Sequence, residues 1–98
     1  MTIMELEIGK VSLQYGSVDG RAFSPAGSQG SSQIWSISFD TSFSEIPFVF
    51  ITPNGNSPII AAVAIAEDIT KSGFKLVARN SEDKAGSAGF VWMAIGKK

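Results

Sequence analysis

Gly89-Phe90-Val91-Trp92-Met93-Ala94-Ile95-Gly96 is a glycine-bounded run almost without polar side chains, and Gly73-Phe74-Lys75-Leu76-Val77 stands before it across a polar gap. A run of this length is too short to cross a membrane as a helix and reads as a strand. A strand apolar on both faces has neither face turned to water, so protein must cover it on each side. In a chain of 98 residues, the second cover is most simply another copy of the chain.

Outward from this run, period-2 alternation dominates, and clusters of Gly, Pro, Asn and Ser interrupt it at short intervals, the pattern of an antiparallel all-β domain. Met4, Leu6 and Ile8 alternate with Glu5 and Glu7, Gly9 interrupts, and Val11, Leu13 and Tyr15 resume on the other phase. This predicts a first strand over residues 4–15 with a bulge near Gly9. Residues 16–30 carry Ser17, Asp19-Gly20, Ser24-Pro25, Gly27-Ser28 and Gly30 and are expected to form a long surface loop. Further strands are expected at 34–39 (Trp35, Ile37 and Phe39 on one face), 48–51, 59–66, 74–79 and 88–95. The sum is one domain over residues 1–98, a six-stranded antiparallel β-sandwich.

Segment 59–66 places Ile59, Ala61, Val63 and Ile65 on one face and Ile60, Ala62, Ala64 and Ala66 on the other. The flat alanine face suits close approach by another surface. Together with Val91, Met93 and Ile95, or as the opposite set if the phase is reversed, it predicts an exposed apolar patch on which a symmetric homo-oligomer assembles.

Composition narrows the function classes. Hydrophobic residues make up 44%, charged residues 17%, and the net charge is −1, which describes a compact globular chain without the basic surface of a nucleic-acid binder. Cysteine is absent, so packing alone must hold the fold. The first residues lack both a basic segment and a continuous apolar one, so the chain is expected to be soluble, with no cleaved secretory signal and no membrane partner. With neither His nor Cys, the commonest general base and the thiolate nucleophile are missing. The carboxylate pairs Glu67-Asp68 and Glu82-Asp83 read as solvated turns, and no enzyme activity is expected. Asn80, Ser81, Glu82 and Asp83 could offer oxygens to calcium, but without EF-hand spacing they read as a plain polar turn. No metal and no cofactor are expected.

Ile8-Gly9-Lys10-Val11, the aromatic strand ending at Phe39, Phe43 before Pro47-Phe48-Val49, Ile69-Thr70-Lys71-Ser72-Gly73-Phe74 and the closing Val91-Trp92-Met93-Ala94-Ile95-Gly96 resemble, in order and spacing, the H-type lectin domains. This group includes the snail agglutinin and the C-terminal domain of discoidins. The resemblance implies a six-stranded sandwich assembled as a homotrimer, with galactose-type sugars bound between subunits. It also implies a pocket built from an acidic residue in the first loop, an arginine on the fourth strand, and aromatic and polar residues before the last strand. Here Ser28 falls near the acidic position, the fourth strand has no arginine, and the loop 80–87 has no Trp, His or Tyr.

The residues themselves therefore define the candidate ligand-binding set: Gly27, Ser28 and Gln29 of the first loop, with Arg79, Asn80, Glu82 and Asp83 before the last strand. Arg79 is the cation best placed for a polyol or acidic sugar. Trp35 and Trp92 lie within apolar alternation and are assigned to the core, whereas Tyr15 could present its ring and hydroxyl at a site. Two functions remain. One is a non-catalytic trimeric adhesion module that binds cell-surface glycans, of the kind carried by bacteriophage tails at the virion surface. The other is a structural trimeric decoration or cement protein that contacts other virion proteins and has no sugar site.

Overall fold

The computed structural model describes residues 10–53 and 62–98, and all regular structure among them is β. The strands are β1 (Val11–Phe23), β2 (Ser32–Ser38), β3 (Phe48–Pro53), β4 (Ala62–Glu67), β5 (Gly73–Asn80) and β6 (Gly86–Lys97). They form two three-stranded antiparallel sheets, one ordered β1-β6-β3 and the other β2-β5-β4. The expected bulge near Gly9, the residues before it and positions 59–61 lie outside the described residues.

Alternation decides what fills the space between the sheets. From β5, Phe74, Leu76, Ala78 and Asn80 point inward, and from β6, Ala88, Phe90, Trp92 and Ala94 do so; Trp35 joins them from β2 and Phe39 and Phe43 from the connection after it. The rings interlock edge to face: Phe39 and Phe43 have centroids 5.0 Å apart at 89°, and Phe74 meets Trp92 at 5.5 Å and 77°. Such tilted pairs align ring edges with π faces and add to the gain from burial. Trp35 and Trp92 are core residues, as alternation predicts.

The first strand differs from its sequence reading. It continues through Gly16 to Phe23, pairing with β6 from Val11↔Lys97 to Phe23↔Gly86, so residues 16–23 are strand and the loop shrinks to 24–31. Gly16 belongs there because Trp92 lies directly above it: a Cβ would sit 2.9 Å from the indole Cζ2. Asp19-Gly20, which looks like a turn, is the bulge. The register shifts between Val18 and Arg21, and the extra residue moves the inward phase from even to odd positions. Phe23 thereby enters the core, and Arg21 lies over Trp35, its Cζ 4.6 Å from the ring centroid, while donating to Ile34 O at 2.8 Å.

The expected joint patch is also corrected. β4 and β6 belong to different sheets, so their outer faces look in opposite directions. On β4 the alanines Ala62, Ala64 and Ala66 pack on the core, and Val63 and Ile65 are the exposed residues. The aromatic rings occupy most of the interior, and only small side chains fit opposite them at native packing density.

The motif Ile69-Thr70-Lys71-Ser72-Gly73-Phe74 is a locked turn between β4 and β5. Thr70 Oγ1 accepts from Ser72 N and Gly73 N, each at 3.2 Å, and donates to Gly73 O at 3.0 Å. Thr70 N donates to the same carbonyl at 2.8 Å.

Candidate functional site

The loops 24–31 and 81–85 lie together at one end of the sandwich, joined by their backbones and by Asn80. Ser24 N donates to Gly30 O at 3.0 Å, closing the first loop on itself, and Ala26 N donates to Glu82 O at 2.7 Å, tying it to the second. Asn80 continues the inward phase of β5 and is 1% exposed. Its Nδ2 donates to Ser24 O at 3.0 Å and to Lys84 O at 2.9 Å, and its Oδ1 accepts from Glu82 N at 2.9 Å. Both amide protons are thus committed, and the buried side chain is a cross-link between the loops.

The other candidates separate into two groups. Gly27, Ser28 and Gln29 form the exposed tip of the first loop, where Gly27 and Gly30 take positive φ, 80° and 87°, a conformation natural to glycine. The Ser28 hydroxyl donates to Pro25 O, bracing the tip. Glu82 and Asp83 lie beside this loop through the Ala26 link. One Glu82 oxygen, Oε2, is buried without a hydrogen-bond partner. The Lys84 ammonium 4.0 Å away offsets charge but is too far to hydrogen-bond. Arg79 instead projects from the outer face of the β2-β5-β4 sheet, where it lines a depression of about 340 Å³ with Val63, Ile65, Glu67 and Val77. Gly27, Ser28 and Gln29 are not among the walls of that depression.

Among the described residues no group of three or more acidic side chains converges as a metal site, and Asn80 Oδ1, one of the oxygens of the calcium alternative, is already engaged by Glu82 N.

The outer face of the β1-β6-β3 sheet is the feature that sequence reasoning located only in part. Cross-strand rows Leu13-Ile95-Phe48 and Tyr15-Met93-Phe50 line up side chains of which Tyr15 is 79% exposed, Phe48 60% and Phe50 57%. Tyr15, Phe50, Val91 and Met93 border a shallow groove of about 540 Å³. Phe48 and Phe50 alternate with Val49 and Ile51 in a wholly apolar tetrapeptide, so the period alone could not say which pair faces out.

The model of the H-type lectin domain family matches residues 34–95. The chain belongs to the H-type lectin domain family. Among solved structures, this lectin domain resembles part of the tailspike gp49 from Pseudomonas phage LKA1, with a TM-score of 0.70 and 21% identity over 88% of this chain and 15% of that one. The tailspike gp61 of Pseudomonas phage phi297 gives 0.64 and 22%, with the same coverages of 88% and 15%. The N-truncated R1-type pyocin tail fiber gives 0.66 and 20%, with coverages of 88% and 70%. The lectin domain thus spans only a small fraction of each tailspike's length, and at these identities the likeness establishes the fold. No curated protein matches the chain. Among the described residues no helix is long and apolar enough to cross a membrane.

Proposed function

We propose that this H-type lectin domain is a non-catalytic, trimeric receptor-binding module of a phage tail fibre or tailspike, and that it adheres to glycans on the host surface. The observation that carries the reading is the combination of a lectin-family match with fold neighbours drawn from tailspikes and a tail fiber. The two polar loops cross-linked at one end of the sandwich supply the candidate binding surface.

Trimer formation is supported by the outer face of the β1-β6-β3 sheet. Tyr15, Phe48 and Phe50 alone expose on the order of 400 Å² there, taking about 200 Å² for a full aromatic side chain. Leu13, Val91, Met93 and Ile95 extend the area. That approaches or exceeds the largest apolar patch of an ordinary monomer, roughly 300–600 Å². It is also a large part of the roughly 800 Å² that each partner contributes to a stable interface. Three copies meeting by this face around an axis would cover it, and closed cyclic symmetry prevents open-ended growth.

Sugar contacts fall to Ser28 and Gln29 at the loop tip and to Glu82 and Asp83 beside it, with the Gly27 backbone exposed between them. Arg79 sits around the corner, so in this reading it meets an extended or acidic glycan, or the neighbouring subunit's ligand. Asn80 holds the loops in place. Each such pocket is weak, and a trimer multiplies it through effective concentration.

A glycan-array screen of the purified protein, repeated with Ser28→Ala and Arg79→Ala variants, tests the proposal. Binding by the wild type that both variants reduce sustains it. A correctly assembled trimer that binds no glycan overturns it in favour of a structural decoration role.

A further inference from the structure

A second polar depression, of about 470 Å³, opens toward the other end of the sandwich from the loops 24–31 and 81–85. Its walls include Ser12, Gln14 and Tyr15 of β1, Ser38 at the end of β2, and Asp40 and Thr41 of the connection that follows. β1 and β2 are edge strands of opposite sheets, so the depression lies in the seam between the sheets, where a sandwich has no ladder partner of its own.

Gln14 builds this seam. It stands at an even, inward position of β1, where an apolar side chain is the usual occupant. Its Nε2 donates to Thr41 O at 2.7 Å, and its Oε1 accepts from Asp40 N at 3.0 Å and, more weakly, from Thr41 N at 3.5 Å. One carboxamide thus fixes the backbone of both residues and holds the Asp40 carboxylate and the Thr41 hydroxyl at the mouth of the depression. The Asp40 carboxylate itself has no ion pair or hydrogen bond among the described residues. It offers several lone pairs to incoming donors, and the hydroxyls of Ser12, Ser38 and Thr41 each offer a donor and an acceptor.

A braced, uncompensated carboxylate and several hydroxyls suit a ligand with adjacent hydroxyl donors. We propose that this depression is a second saccharide site on each subunit, taking a neutral hexopyranose that presents vicinal hydroxyls to Asp40 and to the hydroxyls of Ser12, Ser38 and Thr41 around it. Gln14 is a positioning residue that touches no sugar. The inference rests on the glycan-binding reading but uses none of the same residues, so the two can fail separately.

The test is a titration of the isotope-labelled wild-type protein with galactose, N-acetylgalactosamine, glucose and mannose, followed by amide shifts in heteronuclear NMR. Asp40→Asn and Ser28→Ala variants are titrated in parallel. Asp40→Asn keeps the backbone N–H that Gln14 grips and removes only the charge, and charge-assisted hydrogen bonds are about twice as strong as neutral ones. The expected result is two separate groups of shifting amides, one at 24–31 and 79–83 and one at 12–15 and 38–41. Asp40→Asn should weaken only the second group, by about tenfold, and Ser28→Ala only the first. Shifts confined to the first group overturn this proposal and leave the lectin reading standing. Shifts confined to the second sustain it and move the glycan site away from the loops. Second-group shifts that Asp40→Asn leaves unchanged overturn the role of the carboxylate, and shifts at neither site overturn both readings.

Discussion

Replacing Asn80 by alanine separates a scaffold from a ligand contact. The side chain makes three hydrogen bonds, to Ser24 O, Lys84 O and Glu82 N, at a position that is 1% exposed. Each is worth about 1 kcal/mol net, and partners left buried without replacement cost at the upper end of that range. The estimate for Asn80→Ala is therefore a loss of about 3 kcal/mol. In a domain of this size that lowers Tm by roughly 12–24 °C, at 4–8 °C per kcal/mol. Asn80→Asp keeps the acceptor for Glu82 N but replaces both donors with a buried negative charge facing two carbonyl oxygens, so it should do no better. The assay is thermal and urea unfolding followed by tryptophan fluorescence, since Trp35 and Trp92 both report on the core. Protein concentration must be held fixed because assembly contributes to apparent stability. If Asn80→Ala unfolds within about 0.5 kcal/mol of wild type, the ordinary range for surface substitutions, the cross-link reasoning is wrong. Loss of glycan binding alongside that result would return Asn80 to the ligand.

Three other substitutions test separate parts of the account. Phe50→Glu places a charge on the edge strand β3, beside Met93 on the exposed apolar face, where Phe50 is 57% exposed; light scattering should find folded monomers, and an unchanged oligomer mass would refute the interface. Gly73→Ala brings a Cβ to within van der Waals overlap of the Ile37 carbonyl oxygen. With backbone on both sides this exceeds the usual 1–3 kcal/mol for overpacking, so little soluble protein should be recovered, and near-normal unfolding would contradict the β2-β5 geometry. Arg21→Ala removes the bond to Ile34 O and the cation over Trp35. About 1–2 kcal/mol of destabilisation in urea is expected, with Arg21→Lys recovering less than half because it lacks the planar stacking group.

Strand positions were legible wherever one face of the alternation was polar. Trp35, Ile37 and Phe39 against Ser36 and Ser38 gave β2 its location and its inner face, and Phe74, Leu76 and Ala78 against Lys75 and Arg79 did the same for β5. Where both faces are apolar, as in β4, periodicity groups the residues but cannot say which group is inside. There the answer depends on volume supplied by distant rings, and the alanines turned inward because those rings had filled the space. β1 is not legible after Tyr15 because Gly16 and Asp19-Gly20 have the composition of turns. Their reasons for being small, the indole of Trp92 and a one-residue bulge, come from another strand and from pairing register. Asn80 carried a usable signal, a polar residue on the inward phase of β5, which marks a buried group with hydrogen bonds to satisfy. The clamp of Gln14 on Asp40 and Thr41 joins residues 26 and 27 positions apart, and no local pattern announces it.

Native mass spectrometry of the purified protein, with and without a glycan that binds on the array, addresses assembly and binding in one spectrum. The account predicts three chains in one complex, each able to carry ligand, with ligand-bearing species reduced in the Ser28→Ala variant. A folded monomer, or a trimer that remains ligand-free across the panel of glycans, would contradict it.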